Sequence, residues 1–142
     1  MSLYMRGMAS EKHYSYNYST LHYIRYLACK ADGYKNDWNT FNDVEDLKEE
    51  HNLSAYPHFW QLLHFCDAEG VMVPDSYLEH VEYKESYYLG SSTKLLEELE
   101  FLKEDIARYP EKYENEKLTS FWTLYDLVKD EVEEGYGILF MN

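Results

Sequence analysis

The chain has 142 residues and a mass of 17.1 kDa, which suits one domain with its own core and leaves no room for two. Twenty-seven Asp and Glu stand against 13 Lys and Arg, a net charge of -14. An excess of that size argues against a binder of phosphate backbones, and the lack of any apolar run of about 20 residues argues against a membrane-spanning helix.

In chain order, the first eight residues hold three Met, and residues 1–12 are set aside as a leader or disordered segment. Tyr14-Ser-Tyr16-Asn-Tyr18 alternates aromatic and polar residues, the pattern of a short strand or an extended arm. Leu21, Ile24, Leu27, Ala28 and Ala31 follow at helical spacing, with Gly33 at a C′ position, so a helix is predicted over 20–32. Residues 33–41, with Trp38, read as a loop, and Asn42 with Glu45 as the cap of a short acidic helix over 43–51. Pro57 opens the next helix, whose Phe59, Trp60, Leu62, Leu63 and Phe65 suit a central place in the core. A turn, a short extended piece and a helix over about 74–82 come next, then a loop over 83–91.

Ser91 or Ser92 caps a long helix ending near 108, with Leu95, Leu99, Leu102 and Ile106 on one face. The last helix, 116–134, carries Leu118, Phe121, Trp122, Tyr125, Val128 and Val132 as its stripe, and Gly135 ends it. Gly137-Ile-Leu-Phe-Met141 reads as a small strand. The expected fold is mainly α: residues 1–142 as a single-domain helical bundle of five to six helices with one or two short strands.

Leu62 to Pro74 is the stretch that invites a chemical reading. With Gly70 at position 6 of an EF-hand loop, Asp67, Glu69 and Met72 fall at 3, 5 and 8, but Phe65 and Ser76 fall at 1 and 12, where ligands are required. Asp67 and Glu69 are therefore weak metal candidates, and the plainer reading is a tight turn with Gly70 left-handed. His64-x-Cys66 lacks the second half-site that zinc needs, and no two of the six histidines sit three or four residues apart. Cys29 and Cys66 read as buried thiols of a cytoplasmic protein.

The run His64-Phe65-Cys-Asp67-Ala-Glu69-Gly70-Val-Met-Val-Pro74 resembles a phrase, Phe-Ser-Asp-Cys-Glu-Gly-Val-Ile-Gly-Pro, from a family of uncharacterised bacterial proteins. It matches at Phe65, Asp67, Glu69, Gly70, Val71 and Pro74 and departs at Cys66, Ala68 and Val73. The resemblance implies a helical C-terminal half ending in a short strand, and it implies no chemistry.

No nucleophile elbow or phosphate loop is present, and Gly135-Tyr-Gly137 is not a dinucleotide fingerprint. The sequence thus leans away from an enzyme and implies no cofactor. Its other distinctive feature is tyrosine, sixteen in all. Tyr14, Tyr16 and Tyr18 in the front, and Tyr87 and Tyr88 in the middle loop, are candidate interface residues, because tyrosine brings contact area at low entropy cost. The front is also the basic part of the chain: residues 1–30 hold four basic residues and one acidic, residues 31–142 nine and 26.

The expected function is a non-catalytic, acidic, cytoplasmic protein that binds a basic protein partner, in the manner of immunity or anti-toxin proteins, with a homodimer through the Tyr-rich arm as a further option. The alternative is a small-ligand or metal-binding module centred on residues 64–74, hydrolytic if it is an enzyme.

Overall fold

The computed structural model describes residues 2–8, 12–41, 56–64, 70–78, 89–114 and 117–141. Strand β1 (Ser2–Gly7) leads into β2 (His13–Asn17) and then helix α1 (Tyr18–Ala31). Helix α2 (Trp60–His64), strand β3 (Gly70–Val73), helix α3 (Asp75–Leu78) and strand β4 (Leu89–Ser91) are short. Two long helices follow, α4 (Ser92–Arg108) and α5 (Thr119–Glu134), and strand β5 (Ile138–Met141) closes the described chain.

The long helices form for the reasons their sequences give. On α4, Leu95, Leu99, Leu102 and Ile106 are all buried, each contributing about 2 kcal/mol by removal from water. Ser91 caps its start, its Oγ accepting from the Lys94 N–H at 3.0 Å. Helices α1 and α5 end alike. Gly33 (φ 105°) and Gly135 (φ 80°) are left-handed, and the amide after each reaches back to a carbonyl of the last turn, Tyr34 to Cys29 at 2.8 Å and Tyr136 to Glu131 at 2.9 Å.

The five strands form one mixed sheet in the order β2-β1-β5-β3-β4. All neighbours are antiparallel except β3 and β4, which run parallel. Register places Met5 opposite Tyr14 and Phe140, and Met72 opposite Ile138 and Gly90. Met5, Met72 and Ile138 are buried and belong to the core shared with the helices. The next residues along, Arg6, Val71, Leu139 and Leu89, are exposed or half-exposed. Alternation therefore gives the sheet one face in the core and one toward solvent, a two-layer arrangement.

The expected helical bundle is corrected: the fold is mixed α and β, built on a five-stranded sheet. Residues 2–7, set aside in the sequence, form β1, hydrogen-bonded on both sides to β2 and β5. Residues 89–91, read as the end of a loop, form β4. The apolar tail does form a strand, but β5 lies at the centre of the sheet. Strands of three to six residues carry little periodic signal, and their partners lie far away in sequence. The helix expected over 43–51 and most of the loop over 83–91 lie outside the described residues.

Candidate functional site

The buried side of α5 carries Phe121, Leu124, Tyr125, Leu127, Val128 and Glu131. Its outer side carries Trp122, Asp126, Lys129, Asp130, Glu133 and Glu134, while Val132 is half-buried against the core. Steps of four and three residues put Asp126, Asp130 and Glu133 along one face, spread over about 10 Å of helix axis. Trp122, 36% exposed, stands before the row, and Tyr136, 54% exposed, follows it. Asp130 holds the Lys12 ammonium at 2.9 Å in an exposed pair.

The placement of these charges opposes the helix itself. No acidic residue occupies the first turn of α5 and no basic residue the last, while Glu133 and Glu134 sit at the negative end of the dipole. Each such carboxylate costs a few tenths of a kcal/mol to about 1 kcal/mol. The outer face of α4 is different, because Lys94, Lys103 and Arg108 interleave with Glu97, Glu100 and Glu104. Glu100 Oε1 accepts from the Tyr125 hydroxyl at 2.6 Å, and Lys103 Nζ lies 4.8 Å above the same ring, so this face is partly spent on docking α5.

Several carboxylates serve the fold from inside. Both oxygens of Glu98, 8% exposed, accept backbone N–H groups at the start of α2, from Gln61 and Leu62, each at 2.8 Å. Burial outweighs those two bonds and pushes its carboxyl up to about 7. Asp105 takes the Tyr113 hydroxyl and, at 3.0 Å, the Lys112 ammonium. Burial, then that bond, pushes the Tyr113 phenol well above its ordinary value. Glu131 is fully buried and packs against Gly7, where even a methyl group would overlap it. Glu98 and Glu131 occupy inward positions of otherwise apolar stripes, and that misplacement is the signal by which the sequence could have revealed them.

The candidates named from sequence are not brought together. His64 ends α2, and Gly70 opens β3 opposite Phe140. The Pro74 carbonyl accepts the amides of Tyr77 and Leu78 at 2.9 and 3.1 Å and so starts α3. Phe65, Asp67 and Glu69 lie outside the described residues, as do Cys66, Tyr87 and Tyr88. Tyr14 and Tyr16 lie in β2, opposite Met5 and Leu3, and Tyr18 begins α1. Among the described residues no three His, Cys, Asp or Glu side chains gather as a metal set, and no helix is long and apolar enough to cross a membrane.

A cluster the sequence did not foretell lies beside α1. Tyr23 and Tyr26, one turn apart, meet Trp38 from the 3-10 turn Trp38–Thr40, with ring centroids 4.9 and 5.5 Å away. Asp37 caps that turn through the Thr40 N–H at 3.2 Å.

The acidic excess is distributed unevenly. The described residues hold 15 acidic and 11 basic side chains, and the remaining residues 12 and two. No curated protein and no solved structure matches the chain. A family model does match, over residues 3–136, nearly the whole length. The phrase at Phe65 to Pro74 is one stretch within that span, and membership rests on the span. By that match the chain belongs to the family described as Putative DNA-mimic protein.

Proposed function

We propose that this chain is a DNA mimic, an acidic protein that occupies the DNA-binding surface of a basic protein. The observation that carries the reading is the family match over residues 3–136, and the net charge of -14 agrees with it. The physical requirement is carboxylates spaced as phosphates are. One DNA strand presents a charge every ~3.4 Å of axis, and carboxylates three and four residues apart on a helix lie about 4.5 and 6 Å apart along its axis. Asp126, Asp130 and Glu133 form a row of somewhat wider spacing, in which Asp130 shares its charge with Lys12, and Trp122 and Tyr136 add flanking aromatic contact area. The partner is a protein with a cationic groove shaped for a phosphate backbone, and a nuclease toxin neutralised by an immunity protein is one member of that class. Binding of this kind needs no catalytic residue in the chain. Opposite charge steers the encounter, so the on-rate falls as salt rises.

The test is competition with DNA. Proteins eluted from DNA-cellulose are passed over the immobilised full chain, and a duplex of about 20 base pairs is then applied at constant ionic strength. A retained basic protein that the duplex displaces supports mimicry. Retention that the duplex leaves intact, or no retention at all, overturns it. The double variant Glu133→Lys/Glu134→Lys sharpens the result. Its lysines suit the negative end of α5, so its melting temperature holds or rises while partner affinity falls at least tenfold.

A further inference from the structure

The aromatic cluster beside α1 borders a cavity of about 230 Å³. Tyr23, Tyr26, Trp38 and Tyr113 line it, and Asp37 and Glu114 add carboxylates. We infer that this cavity is an aromatic cage for a compact organic cation, a methylated or quaternary ammonium group. This site is separate from the acidic row on α5, and the inference stands whether or not the chain mimics DNA.

The geometry favours that ligand class over others. Tyr23 and Trp38 meet at 82° with centroids 4.9 Å apart, and Tyr26 meets Trp38 at 60° and 5.5 Å. Rings set at such angles make a corner. The face of an aromatic ring is its negative pole, so a cation in a corner is attracted from two sides. Methyl groups spread the charge and weaken its hydration, so entry costs little desolvation, while the polar part of the lining, Asp37 and Glu114 included, answers the positive charge.

Two lysines also border the cavity, and both are engaged. Lys112 Nζ lies 3.0 Å from Asp105 and 4.7 Å from the centroid of the Tyr109 ring. Lys117 Nζ lies 3.0 Å from Glu114 in an exposed pair. An exposed pair of this kind is weak, so an incoming cation can share Glu114. Among the described residues Asp37 has no lysine in an ion pair; its Oδ1 is held by the Thr40 amide. The two carboxylates balance the two engaged lysines at the cavity itself, and the overall charge of -14 adds a long-range field that draws cations toward the protein.

The experiment titrates the full chain and follows the indole N–H resonance of Trp38 by NMR, with Trp60 and Trp122 as internal controls. The probes are choline, its neutral isostere 3,3-dimethyl-1-butanol, and the N-acetyl amides of trimethyllysine and of unmodified lysine. Saturable movement of the Trp38 signal is expected with choline, with at least tenfold weaker binding of the neutral isostere. Tighter binding of the trimethyllysine amide than of choline assigns the cage to a protein side chain, and the reverse order assigns it to a free small molecule. Asp37→Asn keeps an oxygen for the Thr40 amide, so it preserves the turn, and it is expected to weaken choline binding severalfold. Equal binding of cation and isostere, no movement of Trp38 at about 10 mM choline, or unchanged affinity in Asp37→Asn would each overturn the inference.

Discussion

Glu98 offers the sharpest test of how the interior handles charge. Its carboxyl stands at about 7 in the folded protein against an ordinary 4.5, because burial costs the anion more than the amides of Leu62 and Gln61 return. The folded chain therefore holds this proton where the unfolded chain has lost it. Stability falls as pH rises through that window, from 4.5 to about 7, and is level above it. The whole difference amounts to about 3 kcal/mol. The protein's pI of about 4.7 keeps useful measurements above roughly pH 5.5, which leaves about 2 kcal/mol to observe. Glu98→Gln cannot titrate. Its amide still offers one oxygen to the α2 amides but leaves the other N–H without an acceptor, a fixed cost of about 1–3 kcal/mol. Urea denaturation followed by tryptophan fluorescence at pH 5.5, 6.5, 7.5 and 8 measures both proteins, and subtracting one from the other removes every titration they share. Wild type is expected to lose about 2 kcal/mol of its advantage over Glu98→Gln between the ends of that range. A difference that ignores pH, or that grows with pH, would refute the reasoning and show that the two amides outweigh burial.

Other consequences follow from close contacts at the sheet. Ser91→Ala removes both the cap of α4 and the hydroxyl that Asp75 accepts at 2.5 Å; chemical denaturation should show a loss of about 1–2 kcal/mol. A Cβ at Gly137 would overlap the Met72 carbonyl and force β5 away from β3, so Gly137→Ala should cost about 1–3 kcal/mol and lower the melting temperature, and hydrogen exchange should quicken at the paired strands.

The helices were legible because their signal is local and repeated. Four apolar residues on α4 and a serine before it fix that helix from sequence alone, and Gly135 fixes the end of α5. Trp122 was the exception in the stripe of α5, and it lies outward. The sheet was not legible. Its five strands pair across most of the chain, β1 with β5 above all, and nothing local in Ser2–Gly7 announces a partner at 138–141. The candidate surface was legible as charge but not as geometry. Composition showed an acidic chain, but only the structure separates Glu98 and Glu131, buried in the core, from Asp126 and Glu133, turned outward. The cage was legible only in part. Tyr23 and Tyr26 share a helix face by spacing, whereas Trp38 reaches them from a loop whose path follows from the cap at Asp37.

An acidic protein that folds must spend some carboxylates on itself and leave others facing solvent, and the described residues divide along that line. Glu98, Glu100, Asp105, Asp75 and Asp37 each accept a hydrogen bond from the chain's own amides or hydroxyls, so their charge or dipole is answered at home. Glu133 and Glu134 are placed where the end of α5 repels them, a small cost that local structure does not return. Selection for stability alone would put lysine there. On the proposed reading as a DNA mimic, carboxylates set against the dipole suit a surface shaped for a cationic partner, because their repulsion in the free protein would be relieved when such a partner's charge arrives.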